Sequence, residues 1–449
     1  MDAHPCSEAL PLMMQIPQGA DRMGTEAGEV RQSGTVTSLQ RIYLRIALAG
    51  IVALAYAALW TINARPLDVR QNFYQKYFSF PASTPQAYGD LGYYLVWLDC
   101  VRAGAPIDKP CSLGSPIPWA YPSAWLLMVH TGLSVSNTIP VAAFLYIGLI
   151  AMASYVCAPG SVSEVCYDAL FLVSPPFVLA LERCNMDILI FILLGFAVIL
   201  ASRRAILGAF GLVWVAALLK VYPGASLVAF IRKRSHVLAA GVGAATLAVY
   251  IEMIRPQLRL IYLIVPQTEW ESFGSPELFL ILSKKLEAMG HPVRLLHSVI
   301  PLFALALFTI LVALLAFSFI RRRTDMDLEP FDDLSQHAFT VGALVYCACW
   351  SLGMNFNYRY IFLAMTLPKA WIWASAKFQW RWSYGAYLLA AQAMAWLTLF
   401  QYTHPWIEIG HALLGWLLYG ILLFTLILLY WRPVVMGLVK GAASLNLQP

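Results

Sequence analysis

Runs of roughly 20 apolar residues, the length a helix needs to cross a ~30 Å hydrocarbon core, recur along this chain between Ile42 and Trp431. No other feature limits the fold as strongly. In lipid every backbone N–H and C=O must be satisfied within the chain, so an open-ended spanning segment has to be a helix. Composition agrees: 60% of the 449 residues are hydrophobic and 12% are charged, where a soluble domain carries about a quarter charged. The expected class is all-α and polytopic, with about twelve spans. The formal net charge of +6 lies in short clusters at span ends, which points to topology and not to nucleic-acid binding.

Those clusters orient the route, because Lys and Arg accumulate in short cytoplasmic loops. They are Arg41/Arg45, Arg203/Arg204, Arg232-Lys233-Arg234, Arg321-Arg322-Arg323, Lys377/Arg381 and Arg432. With all of them inside, residues 1–40 form a disordered cytoplasmic tail and 41–431 the membrane domain. Residues 432–449 form a cytoplasmic C-terminal tail. Ile42 to Ile62 reads as an uncleaved anchor, since nothing before it has the pattern of a signal peptide. A first external loop covers 63–137, with 122–136 expected as a helix lying at the external interface. Spans follow near 138–157, 166–181, 186–202, 205–220, a short 222–231, and 236–254. A second external loop covers 255–296, and further spans lie near 297–320, 338–353, 360–376, 384–401 and 411–431.

This route leaves Asp90, Asp99, Arg102, Arg183, Asp187, Lys220, Glu252, Arg255, Arg259, Arg359 and Glu408 near the external face. Ionisable groups at membrane depth are costly and commonly face a cavity, a partner or a substrate; snorkelling is the alternative for any one of them. Four stretches gather most of the polar residues: "YGDLGYYLVWLDCVRAGAPI" with the later "AYPSAW", "LVSPPFVLALERCNMDILIFILLG", "LLKVYPG" and "GMNFNYRYIFLAMTLP". In the first, Asp90, Tyr94 and Trp97 share a helical face. Of the eight cysteines, Cys100 and Cys111 share the polar loop; they pair if it faces an oxidising compartment and stay free if it does not. Cys157, Cys166, Cys184, Cys347 and Cys349 read as buried small hydrophobes.

An acidic residue in the first external loop, a Tyr-Pro after it, an Asn-containing turn and a Lys-x-Tyr-Pro occur here in order. That order resembles the polyprenyl-phosphate-sugar-dependent glycosyltransferases of the GT-C fold, and most of all glycosyltransferase family 87, which includes bacterial alpha-mannosyltransferases acting on lipid-linked acceptors. The resemblance spans residues 42 to 370. "AYPSAW" has one proline where the family often has two, and Arg183 stands where a Gln is common. The resemblance implies a bacterial inner-membrane enzyme with its site facing the periplasm or exterior. Its donor would be a polyprenyl-phosphate sugar and its acceptor a lipid or glycan, with transfer by inversion.

Asp90 matches the family's loop acid and is the implied general base, a role worth typically ~10²–10⁴-fold in rate; N-capping an interfacial helix is its other reading. Arg359, Arg255 and Lys220 are the candidates for the donor phosphate. Tyr94, Tyr121, Asn185, Asp187, Tyr222 and Asn357 are the candidate substrate contacts. Asp187 could equally pair with Arg183, and Tyr222-Pro223 could simply break a helix. No metal-site spacing is present, yet one carboxylate with phosphate oxygens suffices for magnesium or manganese, so a divalent cation stays open. A transporter or flippase, or a non-catalytic binder of lipid-linked glycans, are the rival classes. A transporter places its polar groups at the midplane between related halves, and this chain has no internal similarity.

Overall fold

A computed structural model describes residues 37–78, 88–115, 117–231, 234–264, 272–291, 295–322, 333–353, 355–375, 381–400 and 405–445. The N-terminal tail expected over 1–40 lies almost wholly outside them, and residues 38–449 form one compact unit. The helices are α1 (Ser38–Asn63), α2 (Leu67–Phe78), α3 (Gly89–Arg102), α4 (Thr138–Cys157), α5 (Val162–Leu172), α6 (Pro175–Arg183), α7 (Asp187–Ser202) and α8 (Ile206–Leu219). They continue as α9 (Arg234–Met253), α10 (Arg255–Ile264), α11 (Glu277–Ala288), α12 (Leu295–Arg322), α13 (Leu334–Ser351), α14 (Leu367–Ser375), α15 (Arg381–Leu397) and α16 (Pro405–Leu445). Two-residue strands β1 (Ser272–Phe273) and β2 (Asn355–Phe356) pair antiparallel.

Among the described residues, five helical stretches are long and apolar enough to cross a membrane: Ser38–Asn63, Val135–Cys157, His236–Met253, Val299–Arg321 and Trp406–Tyr430. A sixth arises if α5 and α6, bent by 50° at their junction, count as one span. Pro175 and Pro176 cause that bend, because they open α6 and cannot donate back into α5. The expected all-α class with long apolar helices is therefore seen, with five or six such stretches among the described residues where about twelve spans were expected. The other apolar intervals fold as shorter or more buried pieces. α7 and α8 have 16 and 14 residues, and Tyr222–Phe230 and Asn357–Thr366 are 3-10 segments.

Exposure sorts the helices by their neighbours. α1 buries one stripe, Leu48, Val52, Tyr56, Leu59 and Asn63, while Leu54 is 76% exposed, as a helix with one lipid-facing side requires. α13 is buried on nearly every side, including Gln336, His337 and Thr340. Its Gly342 lets it close on the second 3-10 segment, since a Cβ there would stand 2.7 Å from the Phe362 carbonyl oxygen. Small residues permit such approach where hydrophobic driving force between helices is weak.

The interval 122–136 departs from expectation. It forms two 3-10 pieces, Ser123–Thr131 and Val135–Asn137, and its Trp125 is driven inward while Leu127 stays exposed. Trp125 Nε1 donates to the Leu219 carbonyl at 2.8 Å, which satisfies an acceptor left over at the end of α8. Cys100 and Cys111 are joined by a disulfide that ties α3 to the following loop.

Candidate functional site

Six of the expected site residues gather at one end of the bundle, where α3 and α7 begin and α6, α8 and α13 end. Asp90 lies in the first turn of α3 and is half-buried. The residue that caps this helix is Tyr88, whose φ of 62° is left-handed, a conformation costing about 1–2 kcal/mol for a residue with a Cβ. No side chain caps the helix, so the capping role considered for Asp90 is not seen. Its carboxylate instead reaches the α6–α7 turn and accepts from the Asn185 amide.

Asn185 has its polarity fixed. Its Oδ1 accepts from the backbone N–H of Asp187 at 2.9 Å and from Lys220 Nζ at 3.2 Å. An oxygen committed to two donors leaves only the NH₂ group to face Asp90. The sequence placed Asn185 as a substrate contact; the structure uses its amide to aim the carboxylate.

Behind this pair, Asp187 is fully buried and holds two cations. Lys220 pairs with Oδ1, Arg359 Nε lies 3.2 Å from Oδ2, and Tyr222 donates to Oδ1 at 2.7 Å. The pairing with Arg183 is corrected: the Arg183 guanidinium lies 5.0 Å over the Phe356 ring, on the last turn of α6. An isolated buried carboxylate would cost several kcal/mol, a cost that close cations and hydrogen bonds offset. The trio carries one net positive charge. Arg359 also lies 4.9 Å over the Tyr222 ring and keeps its side chain 19% exposed. Among the described residues its only polar contact runs through Nε, which leaves both Nη groups for a ligand.

Lys220 follows α8 in an extended conformation, and Tyr222-Pro223 opens the first long 3-10 segment after it. The tyrosine thus both breaks the helix and holds Asp187. Asn357 is buried at the start of the second long 3-10 segment, two positions before Arg359.

Two expectations fail on exposure. Arg255 lies on α10 and pairs at 3.2 Å with Glu252, both side chains more than 70% exposed; α10 buries none of its residues, so this arginine is a surface group and not part of the trio. Tyr94, expected as a substrate contact, and Trp97 on the same helix are closed off by packing. Tyr94 is 3% exposed and packs 5.0 Å from Trp125, 5.7 Å from Trp119 and 5.8 Å from Tyr121. This aromatic cluster sets the position of α3. Within it, Tyr121 faces the cations, with Lys220 Nζ 5.9 Å from its ring.

Buried residues outside the expected site set lie around it. Arg70 and Glu182, both buried, lie 3.9 Å apart. Glu277, His411 and Tyr360 are all fully buried and linked. A carboxylate beside Arg183 in an apolar stretch was the available signal for Glu182; for Glu277 and His411, 134 positions apart, there was none. His404, which by sequence could assist the donor phosphate or be a plain loop histidine, lies outside the described residues.

No group of three His, Cys, Asp or Glu among the described residues could hold a metal, and both Asp187 oxygens are taken by cations. Compared with protein-family models, curated proteins and solved structures, the chain matches none.

Proposed function

We propose that this chain is a membrane glycosyltransferase that moves a hexose, mannose in preference, from a polyprenyl-phosphate sugar to a lipid-linked or glycan acceptor. The observation that carries the reading is the setting of Asp90. It is a half-buried carboxylate aimed by a polarity-locked amide, at the same end of the bundle as a buried trio of net positive charge. A base and a cationic site for the leaving phosphate are the two things that glycosyl transfer from a phosphate donor requires.

In this reading Asp90 takes the proton of the acceptor hydroxyl. That oxygen attacks the anomeric carbon while the bond from this carbon to the phosphate oxygen breaks. The phosphate leaves with the electron pair, and the Nη groups of Arg359 offer two parallel donors to it. Lys220, held by Asp187 and Asn185, adds positive potential without moving. A single displacement inverts the anomeric centre.

The twelve-span GT-C arrangement belongs to the same proposal: α7, α8, α13, α15 and the two longer 3-10 segments of the α8–α9 and β2–α14 stretches complete the crossings. The Cys100–Cys111 disulfide on the helix that carries Asp90 supports an oxidising, external setting for the site, at a bacterial inner membrane. The test is mass spectrometry of membrane glycolipids from a strain lacking this gene. One glycolipid should lose a hexose while its acceptor accumulates; an unchanged glycolipid pool contradicts the assignment.

A further inference from the structure

Three residues from distant parts of the chain meet at Tyr360, the residue that follows Arg359. Glu277 opens α11, His411 lies in α16, and Tyr360 follows Arg359 in its 3-10 segment. His411 Nδ1 lies 3.0 Å from Glu277 Oε1, and His411 Nε2 lies 3.1 Å from Tyr360 Oη. All three side chains are fully buried.

With Glu277 ionised, His411 Nδ1 carries the proton and Nε2 accepts from the Tyr360 hydroxyl; with Glu277 neutral, its carboxyl donates to Nδ1 and Nε2 donates to Tyr360 Oη, and in both cases the tyrosine oxygen is held. The tyrosine ring is held as well, with Phe273 at 4.6 Å. Phe273 pairs through β1 with Asn355 of β2, and Ser275 N–H donates to the Trp350 carbonyl at 3.0 Å. The β1–α11 stretch is thereby fastened around the turn that presents Arg359.

Burial pushes the Glu277 carboxyl above its ordinary range, with His411 opposing that shift. Stability alone does not account for such a group, because well-packed apolar residues often replace buried ionic groups without loss. What the chain of hydrogen bonds supplies is one fixed rotamer for Tyr360, and with it one fixed path for the backbone at Arg359.

We propose that His411, held by Glu277, is a positioning residue that acts through Tyr360 to aim Arg359 at the phosphate of a polyprenyl-phosphate ligand. This rests on the reading of Arg359 as the phosphate contact. Outer partners that orient a binding group govern affinity without touching the ligand, as they do around metal sites.

The experiment is a double-mutant cycle on binding of undecaprenyl phosphate to the full chain in nanodiscs. Tyr360→Phe removes only the hydroxyl and keeps the ring against Phe273. It should raise the Kd about 10-fold, as should Arg359→Lys. The double variant should be no weaker than Arg359→Lys alone, within about 2-fold, because both changes spoil the same contact. His411→Asn, which cuts the chain from the other side, should repeat that pattern should Tyr360→Phe not fold. Fully additive losses, or normal binding by folded Tyr360→Phe and His411→Asn, overturn the positioning role while leaving Arg359 in place. No binding by the unaltered protein overturns the phosphate reading and this proposal together.

Discussion

The amide of Asn185 donates to the carboxylate of Asp90, across a gap of 95 positions in the chain. Because the Asn185 oxygen is engaged by Lys220 and by the Asp187 N–H, the amide cannot rotate without losing both. Asn185→Asp keeps the shape and the two acceptor bonds but sets a second carboxylate against Asp90. Two carboxylates at one site share a proton. Transfer at neutral pH should fall about 10-fold or more, with the loss deepest where the pair holds a proton. A normal rate and pH profile in Asn185→Asp would show that Asn185 does not govern the base.

Asp187 tests the buried trio. Asp187→Asn leaves Lys220 and Arg359 without their shared anion in a site that admits little water. Removing one partner of a buried pair costs about 3–5 kcal/mol. Thermal unfolding in detergent should reveal a loss of that order, and a change below about 1 kcal/mol is the level of an exposed pair and would contradict the geometry.

Arg359→Lys separates charge from shape. A lysine can still reach Asp187, but it lacks the planar fork that leaves two Nη groups beyond Nε. Half-saturation by the polyprenyl-phosphate donor should need about 10-fold more donor, equivalent to about 1.4 kcal/mol. Indistinguishable donor curves would remove Arg359 from the phosphate site.

Much of the lipid-facing frame was legible in the sequence, and the reason is physical. α1, α4, α9, α12 and α16 meet lipid on a large part of their surface, so their apolar runs are long and nearly unbroken. α13 was legible only as an apolar interval. It faces protein on almost all sides, and its Gln336, His337 and Thr340 are tolerated because they are in the core. The 3-10 form of Tyr222–Phe230 and Asn357–Thr366 was not legible, since packing against α13 decides it.

For the site, the sequence gathered the right stretches and assigned some wrong partners. Asp187 and Arg183 are four positions apart, yet α6 ends between them at Cys184, whose left-handed φ of 46° reverses the chain. That turn sends Asp187 towards Lys220 and Arg359. Arg255 looked equivalent to Arg359 by sequence because both were expected near external span ends. Only burial distinguishes them.

The Cys100–Cys111 bond makes a prediction about compartment. In unreduced membranes both thiols should resist labelling and become reactive after reduction. Free labelling of the pair without reductant would place α3, and Asp90 with it, on the reducing side.

The central claim is that Asp90 takes the acceptor proton, and Asp90→Asn tests it most directly. The change preserves volume and still offers an oxygen to the Asn185 amide, but it removes the basic oxygen. Transfer from a polyprenyl-phosphate sugar by purified protein in nanodiscs should fall about 10²-fold or more, with donor binding and thermal midpoint close to those of the unaltered chain. A folded Asp90→Asn variant that transfers at a near-normal rate would contradict the account.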